Sequence, residues 1–560
     1  MKLVIVETPA QAKILTSVLG EDWRVEPCSG FVRDLPADQL GVDVKDNFHP
    51  TFVITPGKGN LVRRLMKAVR ASEAVYAATP PGRTGEAMAW HVLALSPDAK
   101  EKPIYRVSLD ALTPDAVRAT FASPRPLDMN WIDAEVTERI VDRLVGYGVN
   151  STALKALGAK NAVSRTGMLA LHLLVKWDKD FAEAVQEARW TVRARFQVGE
   201  ETVEADMYHP HDAPIKFKTL EKAEQLIGAF NGARYWIDKA GVRTQERIAP
   251  MPYRTAALLV DAETRLGLSP ERTLELLDTL YDAGWITHPQ GNALDGTIEA
   301  VQTYIRREFG TDYLAPTARD GSGIAPTDVN RLPEDLPGDG AALYALVWQR
   351  FVAAQMFPAQ LRESGARILA GKTREQPFPV ELRVGGLLIA FDGWLRVQPE
   401  AIPKTGGFLP TLRANDPVEC VGISVEARTA PVAKRHTPAS FIAAHGMARP
   451  TVWAHALGEL LRAGLVLINA REIVPTEEGV SLAALIEARF PSVVTEAVDE
   501  LEFGIERIAA GEKTRIDVLR AFWERCEDDL RAVVQPAPTQ PAPKDVTGEH
   551  KPVTLRPVEG

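Results

Sequence analysis

Hydrophobic residues in the first hundred positions alternate between short, nearly all-apolar runs and longer amphipathic ones. Lys2–Glu7 (KLVIVE) is almost continuously apolar, which predicts a strand buried on both faces. Pro9 then opens a helical repeat carried by Ala12, Ile14, Leu15, Val18 and Leu19 and stopped by Gly20. Ala74–Thr79 reads as a second strand, Gly85–Leu95 as a helix and Ile104–Leu109 as a further strand. Strands alternating with helices imply a parallel sheet. Ligands of such sheets gather at the carboxyl ends of the strands, where Glu7 and Thr79-Pro80-Pro81-Gly82-Arg83 fall.

The pattern changes further along. Ala134–Trp177 is helical, with Asp142, Arg143 and Arg165 interspersed, and Trp190–Met207 alternates with period two, as antiparallel strands do. Tyr253–Gly310 is helical in pieces, interrupted by a loop at 285–296, and Ala341–Ala359 is a strongly apolar helix. Ala366–Ile423 returns to strands, with Gly-Gly turns expected at 385–386 and 406–407. The strand-rich segments 190–245 and 366–423 flank a helical block, so one β-rich domain with that block inserted is the economical reading. Thr437–Leu482 runs helix, turn, helix, short hairpin (465–475), helix. That order fits a winged helix-turn-helix module or a plain helical packing unit, and both stay open here. Thr495–Val533 reads as two helices broken at Gly511, and from Gln535 a proline-rich stretch without periodicity predicts a disordered tail.

Composition narrows the class. The 560 residues are 45% hydrophobic and 25% charged, enough for several cores and about three to five domains at roughly 100–200 residues each. A net charge of −9 argues against general attraction to nucleic acid but is compatible with a local basic groove. Cys28, Cys420 and Cys526 are far apart and build neither a disulfide framework nor a C-x-x-C metal site. The start MKLVIVETPAQ is no signal peptide, and no apolar run approaches the roughly 20 residues of a membrane span. A cytoplasmic protein is expected.

Several stretches carry a family resemblance. LVIVETPAQAK, SGFVRDLP and AATPPGRTGEAMAWH resemble the TOPRIM domain of type IA DNA topoisomerases. DRLVGYGVN, SRTGMLALHLL, LGLSPERTLELLDTLYDAGWIT, APTDVNRLP, GMARPTVWAHALGELLRAGLV and IVPTEEG match the same family in order, over about residues 1–533. The resemblance implies a multidomain α/β and α+β toroid with an N-terminal TOPRIM domain, helical domains and a discontinuous β-rich arch. The expected divisions are a TOPRIM-like domain at 1–125, a helical and winged-helix-like DNA-groove domain at 126–189 and 430–533, a β-rich arch at 190–248 and 365–429, a helical domain carrying the nucleophile loop at 249–364, and the tail at 534–560. The zinc ribbons that follow the toroid in many bacterial members are not expected, since no C-x-x-C is available.

The residues that carry the family's chemistry are the ones that differ. The nucleophilic tyrosine of the family corresponds to His288 and its supporting arginine to Gln290. An imidazole can attack phosphorus to give a phosphoramidate, but that chemistry needs a second positioned group, and no H-x-K pair is present. In TOPRIM domains a glutamate and a D-x-D pair hold Mg²⁺. Glu7 is kept, the two aspartates are Pro80 and Gly82, and the acidic position after Arg83 is Thr84. Glu7, with Glu86 as its only helper, is a poor Mg²⁺ set, so no metal and no cofactor are expected. Other family positions are changed too: Gln11 for lysine, Phe31 for histidine, Gly321-Ser322 for His-Glu, and Ala325 for arginine. Nucleophile, arginine and metal carboxylates are each typically worth several powers of ten in rate, so the vestigial positions His288, Gln290, Glu7 and Arg83 are not expected to be catalytic.

Three readings remain. The first is a catalytically inactive, topoisomerase-like protein that binds single-stranded DNA, or serves as a scaffold subunit of a DNA-processing assembly. It would bind DNA through Lys13, Arg33, Arg139, Arg165 and Arg449, with Trp453 stacking on bases. Against each arginine stands an internal ion pair, for instance Arg33 with Asp34 or Arg143 with Asp142. The second is a purely protein-interacting subunit. The third is an active strand-passage enzyme that uses His288.

Overall fold

The computed structural model describes residues 1–534 except for 158–161, 185–188, 199–200, 211–213, 403–408, 410–411, 429–433, 447–448 and 495–496. The expected tail and the Gly-Gly turn at 406–407 thus lie wholly or mainly outside the described residues.

The chain begins with a four-stranded parallel sheet in the order Trp23–Pro27, Lys2–Val6, Val75–Ala77, Ile104–Arg106. Leu3, Val4, Ile5 and Val6 are fully buried, as an apolar run in a helix-covered parallel sheet requires. The helix Pro9–Leu19 follows from its cap: Thr8 accepts from the Gln11 amide, the Gln11 side chain returns the bond, and Pro9 supplies the first turn. The helix Arg83–Leu93 starts right after the Thr79–Gly82 turn. Glu7, the 79–85 turn and Asp110 therefore lie together at the carboxyl edge of the sheet.

The strands Arg189–Val198, Glu201–Tyr208, Arg234–Arg247, Ala359–Thr373, Glu381–Phe391 and Pro417–Arg428 pair antiparallel in a closed ring. The β-rich domain is thus a six-stranded barrel, filled by Val192, Phe196, Met207, Ile237, Ile368 and Leu382. Within the ring each strand is paired on both sides. Between Arg247 and Ala359 the helical block is inserted, connected to the barrel by the protruding ends of three strands. Gly385 and Gly386 do not form the expected turn. They lie inside the strand Glu381–Phe391, where Gly385 pairs with Gly365, which pairs with Gly241. The result is a row of glycines across three strands where the barrel meets its connecting ribbon. A Cβ at Gly241 would meet nothing within 4 Å, and at Gly365 nothing nearer than 3.7 Å. Local sterics do not demand glycine there; the row simply leaves that face bare.

The helical block and the parallel sheet share one core, in which Leu276, Leu280 and Tyr281 pack with Val107, Leu109 and Leu112. A second core joins the 29-residue helix Met129–Leu157 and the helix Arg165–Ala184 to the module Pro438–Arg489, which contains the expected hairpin, Val466–Asn469/Glu472–Pro475. The helices Ala497–Ala509 and Arg515–Val534, separated at Gly511 (φ +75°), pack against the long helix. No helix of the described residues is long and apolar enough to cross a membrane.

Candidate active site and nucleic-acid groove

The loop carrying His288 is fixed residue by residue. The helix Pro270–Asp282 is capped by Ser269 and ends in a turn at Gly284 (φ +68°). Tyr281 donates its hydroxyl to the Leu109 carbonyl at 2.8 Å, anchoring the helix end to the parallel sheet. Thr287 is fully buried, donates its amide to Ala325, and accepts from the Ala325 amide on its hydroxyl. The His288 amide then donates to the Asp110 carbonyl at 2.7 Å. This scaffold delivers residue 288 to the carboxyl edge of the sheet, where a nucleophile would meet a metal-bound phosphate.

The imidazole is poorly placed to act there. Its ring sits edge-on to Tyr281 at 5.0 Å, and its Nδ1 accepts from the Gln290 amide at 3.2 Å. Accepting on Nδ1 puts the ring proton on Nε2. Burial pushes the pKa down to about 4, so the ring is neutral at pH 7. A neutral imidazole with one nitrogen protonated and the other engaged has no free lone pair. Tyr281 is no substitute: its hydroxyl is committed, and burial followed by the nearby carboxylate of Asp282 drives its pKa far above the usual phenol.

The metal side fits Mg²⁺ no better. Pro80, Gly82 and Thr84 carry no carboxylate. Glu86 is fully buried and committed to Arg106 at 2.9 Å, to Arg125 and to the Asp128 amide. Arg106, itself fully buried, donates to the carbonyls of Ala77, Thr79, Pro80 and Val107. The 79–85 turn is therefore wound around an internal arginine, so close that a Cβ on Gly85 would stand 1.7 Å from the Pro80 oxygen. Glu7 faces the helical block. Burial, then Asp278 and Asp282, raise its pKa, and Gln11, the residue in the lysine position, donates to Asp282 at 3.3 Å. Among the described residues no group of three His, Cys, Asp or Glu is arranged to hold a metal ion. No metal-dependent step can be derived from this donor set.

Beside His288 lies a cavity of about 420 Å³. Its walls are the 82–84 turn, the 289–292 loop, Arg254, Arg449 and the helix residue Glu506. Arg83 sits 3.4 Å from Glu506 and 3.9 Å from Glu138. Arg449 is paired with Glu138. Arg165 holds Asp142 at 2.7 Å and Glu502 at 3.1 Å. A larger groove of about 660 Å³ follows the glycine row; its only charged lining groups, Arg243 and Glu363, pair with each other.

Two of the expected ion pairs are exchanged. Asp34 pairs with Arg139, not Arg33; Arg33 instead donates to His91 at 2.7 Å and lies over the rings of Trp90 and Phe52. Asp142 pairs with Arg165, while Arg143 donates to the Leu35, Pro36 and Gln39 carbonyls. Lys13 is exposed on its helix. Trp453 lies over Gly446 and stacks with His445 at 6.1 Å, so one ring face is already covered. Arg254, Glu138, Glu502 and Glu506 were not among the sequence candidates. Only Glu138 left a trace there, one turn before Asp142 on the same helical face.

Residues 126–520 match the family model for DNA topoisomerase, and residues 2–112 match that for the Toprim domain. Full-length topoisomerase I from Thermotoga maritima superposes with a TM-score of 0.81 at 25% identity, covering 94% of this chain and 90% of that one. With the nucleophile loop held at the edge of a Toprim sheet and the family model spanning most of its length, this chain belongs to the type IA DNA topoisomerase family.

Proposed function

We propose that this chain is a catalytically inactive type IA member that acts in the cytoplasm by holding single-stranded DNA without cleaving it. The observation that carries the reading is the joint state of the two halves of the site. The imidazole at 288 has both nitrogens committed or protonated, and the turn facing it carries no carboxylate at 80, 82 or 84. Covalent attack and charge compensation are lost together, while the scaffold that positions a strand is kept. Arg83, Arg254 and Arg449 line the adjoining cavity, and guanidinium groups so gathered suit backbone phosphates.

A second reading, a protein-interacting subunit that binds no DNA, is favoured by one observation: Arg139, Arg165 and Arg449 are each already ion-paired. Incubation with supercoiled plasmid and with labelled oligonucleotide, with and without Mg²⁺, separates the possibilities. The expected outcome is salt-dependent binding with no relaxation and no protein–DNA adduct on a denaturing gel. Relaxation abolished by His288→Ala would overturn the inactive reading. Absence of binding at low salt would favour the protein-interacting one.

A further inference from the structure

Arg83, which lines the groove, and the buried Arg165 are both occupied from within, and two of the occupants sit on the solvent side. Arg83 and Arg165 have side chains only 14% and 4% exposed, whereas their partners Glu506 and Glu502 are 62% and 43% exposed. Both glutamates lie on the helix Ala497–Ala509, one turn apart. Glu138, by contrast, is 6% exposed and braces Arg449 from inside the protein. Arg83 Nη1 has no hydrogen-bond partner; the 3.4 Å approach of Glu506 neutralises it without using its donor.

We propose that the helix Ala497–Ala509 is a built-in acidic occupant of this groove. Glu502 and Glu506 stand where backbone phosphates would, and a DNA strand enters by displacing them. The inference rests on the DNA-binding reading above. Carboxylate and phosphate oxygens compete for the same guanidinium donors. Ion pairs with one partner in solvent are worth little, so displacement is within reach of a polyanion that brings several phosphates at once. A single nucleotide brings too few. Glu135 and Glu138 add carboxylates beside Arg449, so the guanidinium groups of the closed groove are met by acidic partners of the chain itself.

The test uses the full chain and a fluorescein-labelled oligothymidylate, with anisotropy read from about 50 to 200 mM salt. Glu506→Gln and the double variant Glu502→Gln/Glu506→Gln keep shape and remove charge. Glu500→Gln, on the same helix but paired with Arg525, is the control. The double variant is expected to bind about three- to thirty-fold tighter than wild type, from two exposed pairs at about 0.3–1 kcal/mol each. The logarithmic salt slope should steepen by about one to two, and Glu500→Gln should match wild type. Binding by the variants alone would also support the occupant. If wild type binds and neither variant gains beyond the control, the occupant is overturned and the DNA reading stands. If no protein binds, both fall. Glu506→Gln removes an exposed carboxylate, so a folding defect in the double variant leaves the single one to decide.

Discussion

Restoring an acidic residue at position 82 should cost stability and return no activity. Gly82 has φ +89° and ψ 178°, a region open essentially to glycine alone, where any other residue pays about 1–3 kcal/mol. A Cβ there would also stand 3.0 Å from Gln290 Oε1. That atom ends a flexible side chain, so it yields at small cost and the backbone term dominates. Gly82→Ala and Gly82→Asp are therefore expected to be nearly equal, and adding Gln290→Gly should recover little. Hydrogen exchange of the Arg83–Leu93 amides reads the local opening energy. Protection should fall about 5- to 150-fold, at tenfold per 1.4 kcal/mol. Unchanged protection in both variants would refute the backbone argument. So would a Gly82→Asp protein that gains Mg²⁺-dependent stability, because the turn would then have rearranged to present the carboxylate.

Arg106→Met should destabilise by about 3–5 kcal/mol, since it removes the fully buried partner of Glu86, leaving that carboxylate Arg125 and the Asp128 amide, and removes the donor to four carbonyls; urea denaturation alongside Arg118→Met, which replaces an exposed arginine, checks it. Acid should weaken the protein through His288 and His91, pushed down by burial to about 4 and about 3. Both are neutral when folded and protonate when unfolded, so their contribution is complete above the ordinary value of 6.5 and is lost as pH falls toward those values. His91→Gln should flatten the fall in melting temperature over that window. Asp278, raised to about 6 by burial and Asp282, runs the other way. Its contribution is complete below the ordinary 3.8 and lost as pH rises through 6, so Asp278→Asn should raise the melting temperature at pH 8 more than at pH 5.

Much of the fold could be read from the sequence because local pattern and burial agree. KLVIVE is the central strand, and the strand segments on either side of the helical block meet in one domain. The strand Trp23–Pro27 was missed because WRVEP is half-buried throughout and neither alternates nor runs apolar. Gly385-Gly386 looked like a turn because two glycines normally signal one, yet cross-strand pairing with Ser364 and Gly365 outweighs that preference. At the site, the departures from the family's letters stand at single positions, 80, 82, 288 and 290. The pairing of charges does not. Arg83 meets Glu506 and Arg165 meets Glu502 across more than three hundred positions of chain, and no local period encodes such partners.

The glycine row through Gly241, Gly365 and Gly385 has a mechanical meaning. A sheet resists bending largely through side chains interlocked on its faces, so a line without them is the most compliant line in the ribbon. We expect load that separates the helical block from the barrel to be taken up there. Gly365→Val should narrow the distance distribution between spin labels on the two sides, and an unchanged distribution would refute the idea. None of positions 80, 82, 288 and 290 lies on this line. Bending line and reaction centre are thus built from different residues, so either can change without the other.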